Sequence, residues 1–244
     1  MSNRLKASLP YRAVRSLYHV RQSAGFARFR QHYLRSDSAT IANYLASAAS
    51  PRLHIGCGLN PLPGWLNTEY FPDTPDLIHL DATRRFPFPD STLDRVFSEH
   101  VIEHLPLAGG LNMLREAFRV LKPGGRVRIS TPPLPALLAI YADPDAPEHR
   151  RYLDWHLETW LNTSEIRTPA IVFNDFMRNW GHLLIYDHET LAALMNHSGF
   201  ETIINCQLQQ SGDDRLSGLE NDARMPNGLL ALVTMTLEAS KPAV

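Results

Sequence analysis

Between Arg52 and Thr131 short apolar runs alternate with helix-prone stretches, and this alternation constrains the fold more than any other feature of the chain. The runs are "RLHIGC", "WLNTEY", "DLIHLD" and "DRVFSEH", followed by the helix-prone "AGGLNMLREAFRVL" and then "GRVRIST". Strand-sized apolar segments interleaved with helices predict a parallel sheet covered by helices. In "LKPGGRVRIST" the helix is expected to end at Leu121 to Lys122, with Pro123, Gly124 and Gly125 turning the chain and Val127 and Ile129 beginning a strand. Further on, Asp187 is placed to cap a helix "HETLAALMNHSGF" that stops at Gly199, and "ETIINCQL" and "LLALVTMTL" read as strands. Residues 11–45 read as helical, with Val14, Leu17, Tyr18, Tyr33, Leu34, Ile41, Tyr44 and Leu45 near helical spacing. A length of 244 residues with 44% apolar content suffices to bury the core of one such domain with an elaboration.

Charge is unevenly distributed. The net charge is −1, yet eight cations from Arg4 to Arg35 precede the first acidic residue, Asp37. The basic character therefore belongs to an N-terminal arm and the rest of the chain is acidic. Tyr11, Tyr18, Phe26, Phe29 and Tyr33 recur in the arm at intervals suited to packing, which disfavours nucleic acid as a partner. Docking on the chain's own acidic body is the expected role, with a peripheral membrane contact as the alternative. Cys57 and Cys206 are too few for a disulfide framework, and no apolar run approaches the roughly 20 residues of a membrane-spanning helix. With an opening "MSNRLKASLP" that lacks the apolar core of a secretory signal, the expected location is cytoplasmic. Oligomeric state is not legible.

"LHIGCGLNPLPGW" sets a Gly-x-Gly directly after the first apolar run. Without a Cβ, glycine lets backbone approach a ligand closely. Only "LNPLPGW" separates Gly58 from the next run at Leu66, and Pro61, Pro63 and Gly64 oppose a helix there. A helical crossover needs roughly 10–12 residues, so the first crossover helix is expected to be short or absent. That argues against NAD, whose pyrophosphate is held at such a helix N-terminus; the third glycine of the dinucleotide fingerprint is missing as well. A ligand without phosphates is less affected. Glu69, ending the second run, is placed to accept hydrogen bonds from both hydroxyls of a ribose.

With these residues the sequence resembles the class I S-adenosylmethionine-dependent methyltransferases, and within them a bacterial subgroup of type 11-like enzymes with "IGCG-N-LPGW-N" openings. The resemblance covers Arg52 to Thr131 and the tail "GHLLIYDHETLAALMNHSGF". It implies a Rossmann-like doubly wound sheet of about seven strands ending in an antiparallel pair, with S-adenosyl-L-methionine as cofactor. It further implies a basic helical arm over 1–45 and a methyltransferase domain over 46–244, with 132–186 as a helical lid or acceptor insertion. By resemblance the cofactor contacts are Gly56, Cys57, Gly58 and Asn60 in the glycine turn, Glu69 and Tyr70 at the ribose, Asp81 and Ala82 at the adenine, and Ser98. Asp94 matches the acid that opens the fourth strand, and "LKPGG" the turn before the fifth. His54 stands where many relatives carry an acid near the methionine amine. Inside an apolar strand it reads as a hydrogen-bonded core histidine, and Cys57 reads equally as a small packed residue.

"SEHVIEHL" carries a competitor. His100, Glu103 and His104 spell H-x-x-E-H, the inverted zinc-peptidase pattern, in which two histidines on one helical face hold Zn²⁺. Five residues match easily by chance, and no metal is expected. Methyl transfer needs positioning above all, and a base when the acceptor is a hydroxyl. His100, at the carboxyl end of the fourth strand, is the expected base, with Glu99 the alternative. No "NPPY"-like amide-methylating motif stands there, so O-methylation of a small-molecule or glycan-type acceptor is expected; binding of the cofactor without turnover is the alternative. Residues 132–186 carry Tyr141, Tyr152, Trp155, His156, Trp160, Phe173, Phe176, Trp180, His182 and Tyr186 on two or three helices. Most of these aromatics are expected to pack on the sheet. His156 and His182 are candidates for contacting the acceptor.

Overall fold

The computed structural model describes residues 37–243 apart from 73, 75, 162–164 and 227. Most of the basic arm, and its expected roles, therefore lie outside the described residues; what is described of it is a helix, α1, over 37–47. Ile41 of α1 enters the main core. Asp37 accepts a hydrogen bond from the His79 N–H at 3.1 Å, and the Tyr44 hydroxyl lies 3.0 Å from the Arg52 carbonyl.

One seven-stranded sheet organises the chain: β1 (Arg52–Ile55), β2 (Leu66–Glu69), β3 (Ile78–His79), β4 (Leu93–Glu99), β5 (Leu121–Thr131), β6 (Glu201–Cys206) and β7 (Met235–Ser240), in the order β3-β2-β1-β4-β5-β7-β6. The first five run parallel and β7 is antiparallel to both β5 and β6, as the expected doubly wound sheet with its closing antiparallel pair requires. Between β1 and β2 no helix forms. The Asn67 side chain closes this loop instead, accepting from the Leu62 N–H at 2.8 Å and donating to the Leu62 carbonyl at 3.0 Å.

Helix α2 (Leu107–Val120) joins β4 to β5, and its buried Met113, Leu114, Ala117 and Val120 recur at helical spacing against the sheet. It ends one residue before the expected Leu121, because Leu121 already pairs with Leu93 and is extended. Helix α6 (His188–His197) is capped as expected: Asp187 accepts from the Thr190 N–H at 2.8 Å, and Gly199 leaves the helix with φ of +98°. "LLALVTMTL" is a correction. Leu229–Leu232 form a short helix, α7, and the strand begins only at Met235. Leu229 and Val233 are buried in a separate core with Tyr152, Leu153 and Val172, so an apolar run read as strand serves a helix-lined core instead.

That second core belongs to the segment after β5, which contains α3 (Leu134–Ala142), α4 (Pro147–His156) with a π-turn over Leu157–Leu161, and α5 (Pro169–Arg178). Pro147 and Pro169 each occupy a first helical turn, where the missing N–H costs nothing. A bridge between Pro133 and Tyr186 closes the base of the segment, with the Leu134 N–H donating to the Tyr186 carbonyl at 2.8 Å. The expected packing of its aromatics on the sheet is corrected. Tyr186 joins the sheet core, but Tyr152 packs in the segment's own core and Phe176 in a third cluster with Leu137 and Ile185.

Fully buried Arg128, on β5, donates from Nε to Glu220 and from Nη1 to Glu238, each at 2.6 Å. Nη1 also donates to the Gln210 carbonyl at 2.9 Å. The network anchors the loop between β6 and β7 over the sheet, bringing Asn221 and Arg224 to the end of β4.

Candidate active site

Strands β1 and β4 are neighbours whose onward connections diverge to opposite halves of the sheet, and ligands of open α/β sheets bind outside the carboxyl ends at such a switch point. Gly56 and Gly58 follow β1 with φ of +66° and +51°. A Cβ at Gly56 would lie 2.3 Å from Val101 Cγ2, so packing requires that glycine; at Gly58 nothing lies within 4 Å. Glu69, the last residue of β2, accepts from the Gly58 N–H at 3.0 Å and from the Tyr70 N–H at 2.8 Å, and each oxygen retains a second lone pair. Tyr70 lies edge-on to His79, ring centroids 5.6 Å apart.

Asp81, just past β3, closes its own turn: Oδ1 accepts from the Thr83 N–H at 3.0 Å and hydroxyl at 2.6 Å, and Oδ2 from Arg84 at 3.1 Å. Ala82 is buried, its carbonyl accepting from Asn112 at 3.1 Å. Asn60 reaches across to donate to the Leu219 carbonyl at 3.3 Å. Cys57 is buried, as expected of a small packed residue. Ser98, on β4 beside Ile55, is buried with an Oγ that has no hydrogen-bond partner among the described residues. Open space over Gly58, a carboxylate at the end of β2 bonded to the glycine turn and a buried hydroxyl without a partner among the described residues fit an adenosyl ligand. His54 is a core histidine: its Nδ1 lies 3.2 Å from Asn67 Oδ1 and its ring 4.9 Å from Phe97. Burial lowers its pKa to about 4 against the hydrogen bond to Asn67.

At the end of β4 the two expected base candidates differ. Glu99 is held by Arg224 Nη2 at 2.9 Å and by the Asn221 N–H at 3.2 Å; burial pushes its pKa up and Arg224 opposes the shift. His100 has a left-handed φ of +52°, sparsely populated for a residue with a Cβ, and is held there by its N–H bond to the Ser130 carbonyl at 2.8 Å. Its Nδ1 lies 3.1 Å from Glu103 Oε1, an ion-pair contact outside hydrogen-bond alignment, and its Nε2 lies 3.2 Å from the Thr234 hydroxyl. Burial works to raise the pKa of Glu103, but the contact with His100 and the neighbouring His104 and His182 outweigh it and hold the carboxyl below its usual range.

H-x-x-E-H does not form the peptidase arrangement. Ile102–His104 are a 3-10 turn that begins after His100, so His100 and His104 do not share an α-helical face.

His100 opens onto a cavity of about 300 Å³. Tyr152, Trp155, Trp160 and Trp180 from the segment after β5 line it, with His104, His156, His182, Arg224 and Val233. Trp160 stands edge-on to Trp180 with centroids 4.4 Å apart, and His156 is oriented by Asp175 at 2.8 Å. Both expected acceptor histidines, His156 and His182, thus line the same cavity as His100. Arg224, Thr234 and Glu103 were not among the expected site residues. Arg224 and Thr234 lie in sequence far from any motif, whereas Glu103 was visible within "VIEHL".

Residues 41–129 match the family model described as "Methyltransferase domain". The match spans 89 of the 244 residues, and with the sheet order it gives this part of the chain the Rossmann-like fold of a methyltransferase domain, for which S-adenosyl-L-methionine is the implied cofactor. No curated protein matches the chain in sequence. Similar solved structures include a "possible exported protein" from Bordetella parapertussis, with 18% identity, TM-score 0.46 and coverage of 86% of this chain and 68% of that one. A SAM-dependent methyltransferase from Archaeoglobus fulgidus shows 16% identity, TM-score 0.46 and coverage of 88% and 99%. Phosphoethanolamine N-methyltransferase 2 from Haemonchus contortus, in complex with S-adenosyl-L-methionine, shows 14% identity, TM-score 0.45 and coverage of 84% and 52%. Among the described residues no helix is long and apolar enough to cross a membrane.

Proposed function

We propose that the chain methylates a hydroxyl of a small-molecule or glycan-type acceptor, using His100 as base. The observation that carries the reading is His100 itself, which directly follows β4 at the switch point and lines the cavity built by the segment after β5. When bound, S-adenosylmethionine supplies a sulfonium methyl that is already electrophilic. Gly56, Cys57, Gly58 and Asn60 cradle it, Glu69 and Tyr70 take the ribose, Asp81 and Ala82 the adenine, and Ser98 contributes its buried hydroxyl. An ionised Glu103 favours the proton of His100 on Nδ1 and leaves Nε2 to accept the acceptor's proton in place of the Thr234 hydroxyl. Glu99, already engaged by Arg224 and Asn221, suits a positioning role better than that of base.

A volume of about 300 Å³ walled by Trp155, Trp160 and Trp180 suits one flat or ring-shaped unit, either free or at the end of a glycan. Residues 132–186 act as its lid. Incubation with methyl-labelled cofactor and metabolite or glycan extracts tests the reading. Label on an acceptor oxygen, with release of S-adenosylhomocysteine, is expected. Cofactor binding without any release in any extract would replace it by the non-catalytic alternative.

A further inference from the structure

No metal was expected, yet the fold brings His104 against a histidine from the far end of the insertion. Glu103, His104 and His182 each offer a ligand atom, and these atoms all lie within 4.8 Å of one another. The His104 and His182 rings are 4.9 Å apart between centroids. The segment bearing His182 is fixed to the 3-10 turn, because the Leu183 and Leu184 N–H groups both donate to the Glu103 carbonyl, at 2.7 and 3.2 Å. At Gly181 the backbone runs so close that a Cβ there would lie 3.6 Å from His104 Nδ1.

Among the described residues, two buried polar atoms of this cluster, Glu103 Oε1 and His182 Nδ1, have no aligned hydrogen-bond partner. Buried polar groups are ordinarily satisfied, so two such atoms within one cluster call for a shared partner. A carboxylate oxygen has two lone-pair directions, and the contact with His100 leaves Oε1 able to accept another. The other oxygen, Oε2, accepts from the Thr131 hydroxyl at 3.0 Å, the kind of outer support that orients a ligating carboxylate.

We propose that Glu103, His104 and His182 form a site for a divalent transition ion of the Zn²⁺ class on the inner wall of the acceptor cavity. Two imidazoles and one carboxylate are a donor set that suits Zn²⁺ and its neighbours rather than Mg²⁺, and three protein ligands leave a coordination position open. His104 and His182 both line the cavity, so that position faces the acceptor. Bonds of about 2.0–2.2 Å hold donors roughly 3–3.5 Å apart, so small rotations of the two half-buried imidazoles complete the site. The ion would polarise an acceptor oxygen beside His100. Only this last role rests on the methyl-transfer reading; the site itself does not.

The test uses the full chain, stripped by chelator and titrated with Co²⁺ followed by visible absorption, with Zn²⁺ stoichiometry measured by elemental analysis. One ion per chain is expected. His182→Ala and His104→Ala should each weaken Co²⁺ binding at least about tenfold, whereas His188→Ala, an exposed histidine outside the cluster, should not. Glu103→Gln, which keeps the shape, should weaken it as well. S-adenosylmethionine affinity measured in the same samples reports whether each variant is folded. Absence of a Co²⁺ spectrum, or binding that is unchanged in both histidine variants, would overturn the site. Metal binding by a chain that transfers no methyl group would instead keep the site and remove its catalytic role.

Discussion

His100 Nδ1 stands 3.1 Å from Oε1 of the fully buried Glu103, while its Nε2 meets the Thr234 hydroxyl at 3.2 Å. The two ring nitrogens therefore face different tasks, one toward a carboxylate and one toward a hydroxyl in the position an acceptor would take. If His100 is the base, His100→Gln should lower kcat by about 10²–10⁴-fold and leave the cofactor Kd nearly unchanged. An equal loss of affinity and rate would make it a cofactor or structural residue.

Glu69 holds two backbone N–H groups and keeps one lone pair on each oxygen, and Asp81 keeps one on Oδ2, so these are what a bound adenosyl group would use. Glu69→Ala and Asp81→Ala should each weaken S-adenosylmethionine binding by about 1.5–3 kcal/mol, and NAD should not bind. Calorimetry returning wild-type affinity for both folded variants would remove the assignment.

Gly56 and Gly58 separate packing from binding. Gly56→Ala drives a Cβ to 2.3 Å from Val101 and should destabilise the fold. Gly58→Ala meets no atom within 4 Å and bears only the left-handed backbone penalty, about 1–2 kcal/mol. It should melt close to wild type yet bind cofactor poorly, which thermal unfolding with and without ligand distinguishes.

Arg128→Ala leaves Glu220 and Glu238 buried without their cation. Removing one member of a buried ion network typically costs about 3–5 kcal/mol. Urea unfolding should show a loss of that order; a change under about 1 kcal/mol would mean that the network contributes no more than an exposed pair.

Stability should fall on acidification through His54. Its folded pKa, about 4, lies below the ordinary histidine value near 6.5, so between these limits the unfolded chain binds the extra proton. The contribution is complete above pH about 6.5 and is lost as pH falls towards about 4. His54→Gln should reduce the slope of unfolding free energy against pH in this window by up to about 1.4 kcal/mol per pH unit. Parallel wild-type and variant slopes would contradict this.

The sheet, the glycine turn without a crossover helix, the capped helix after Asp187 and the order Gly56, Gly58, Glu69, Asp81 were legible in the sequence because each is local. Periodicity, proline and glycine placement and capping act within a few residues. "LLALVTMTL" was misread because an apolar run is equally at home in a strand or a buried helix, and here the insertion's own core claims its first half. Tertiary structure alone decided the rest. Arg128 meets Glu220 and Glu238 across 92 and 110 positions, and Thr234 reaches His100 across 134. His182 joins Glu103 and His104 only because the segment after β5 folds back on the turn that follows β4. Such partners are selected by the geometry of the closed chain, where burial forces polar groups to find one another, and no local pattern records which ones will meet.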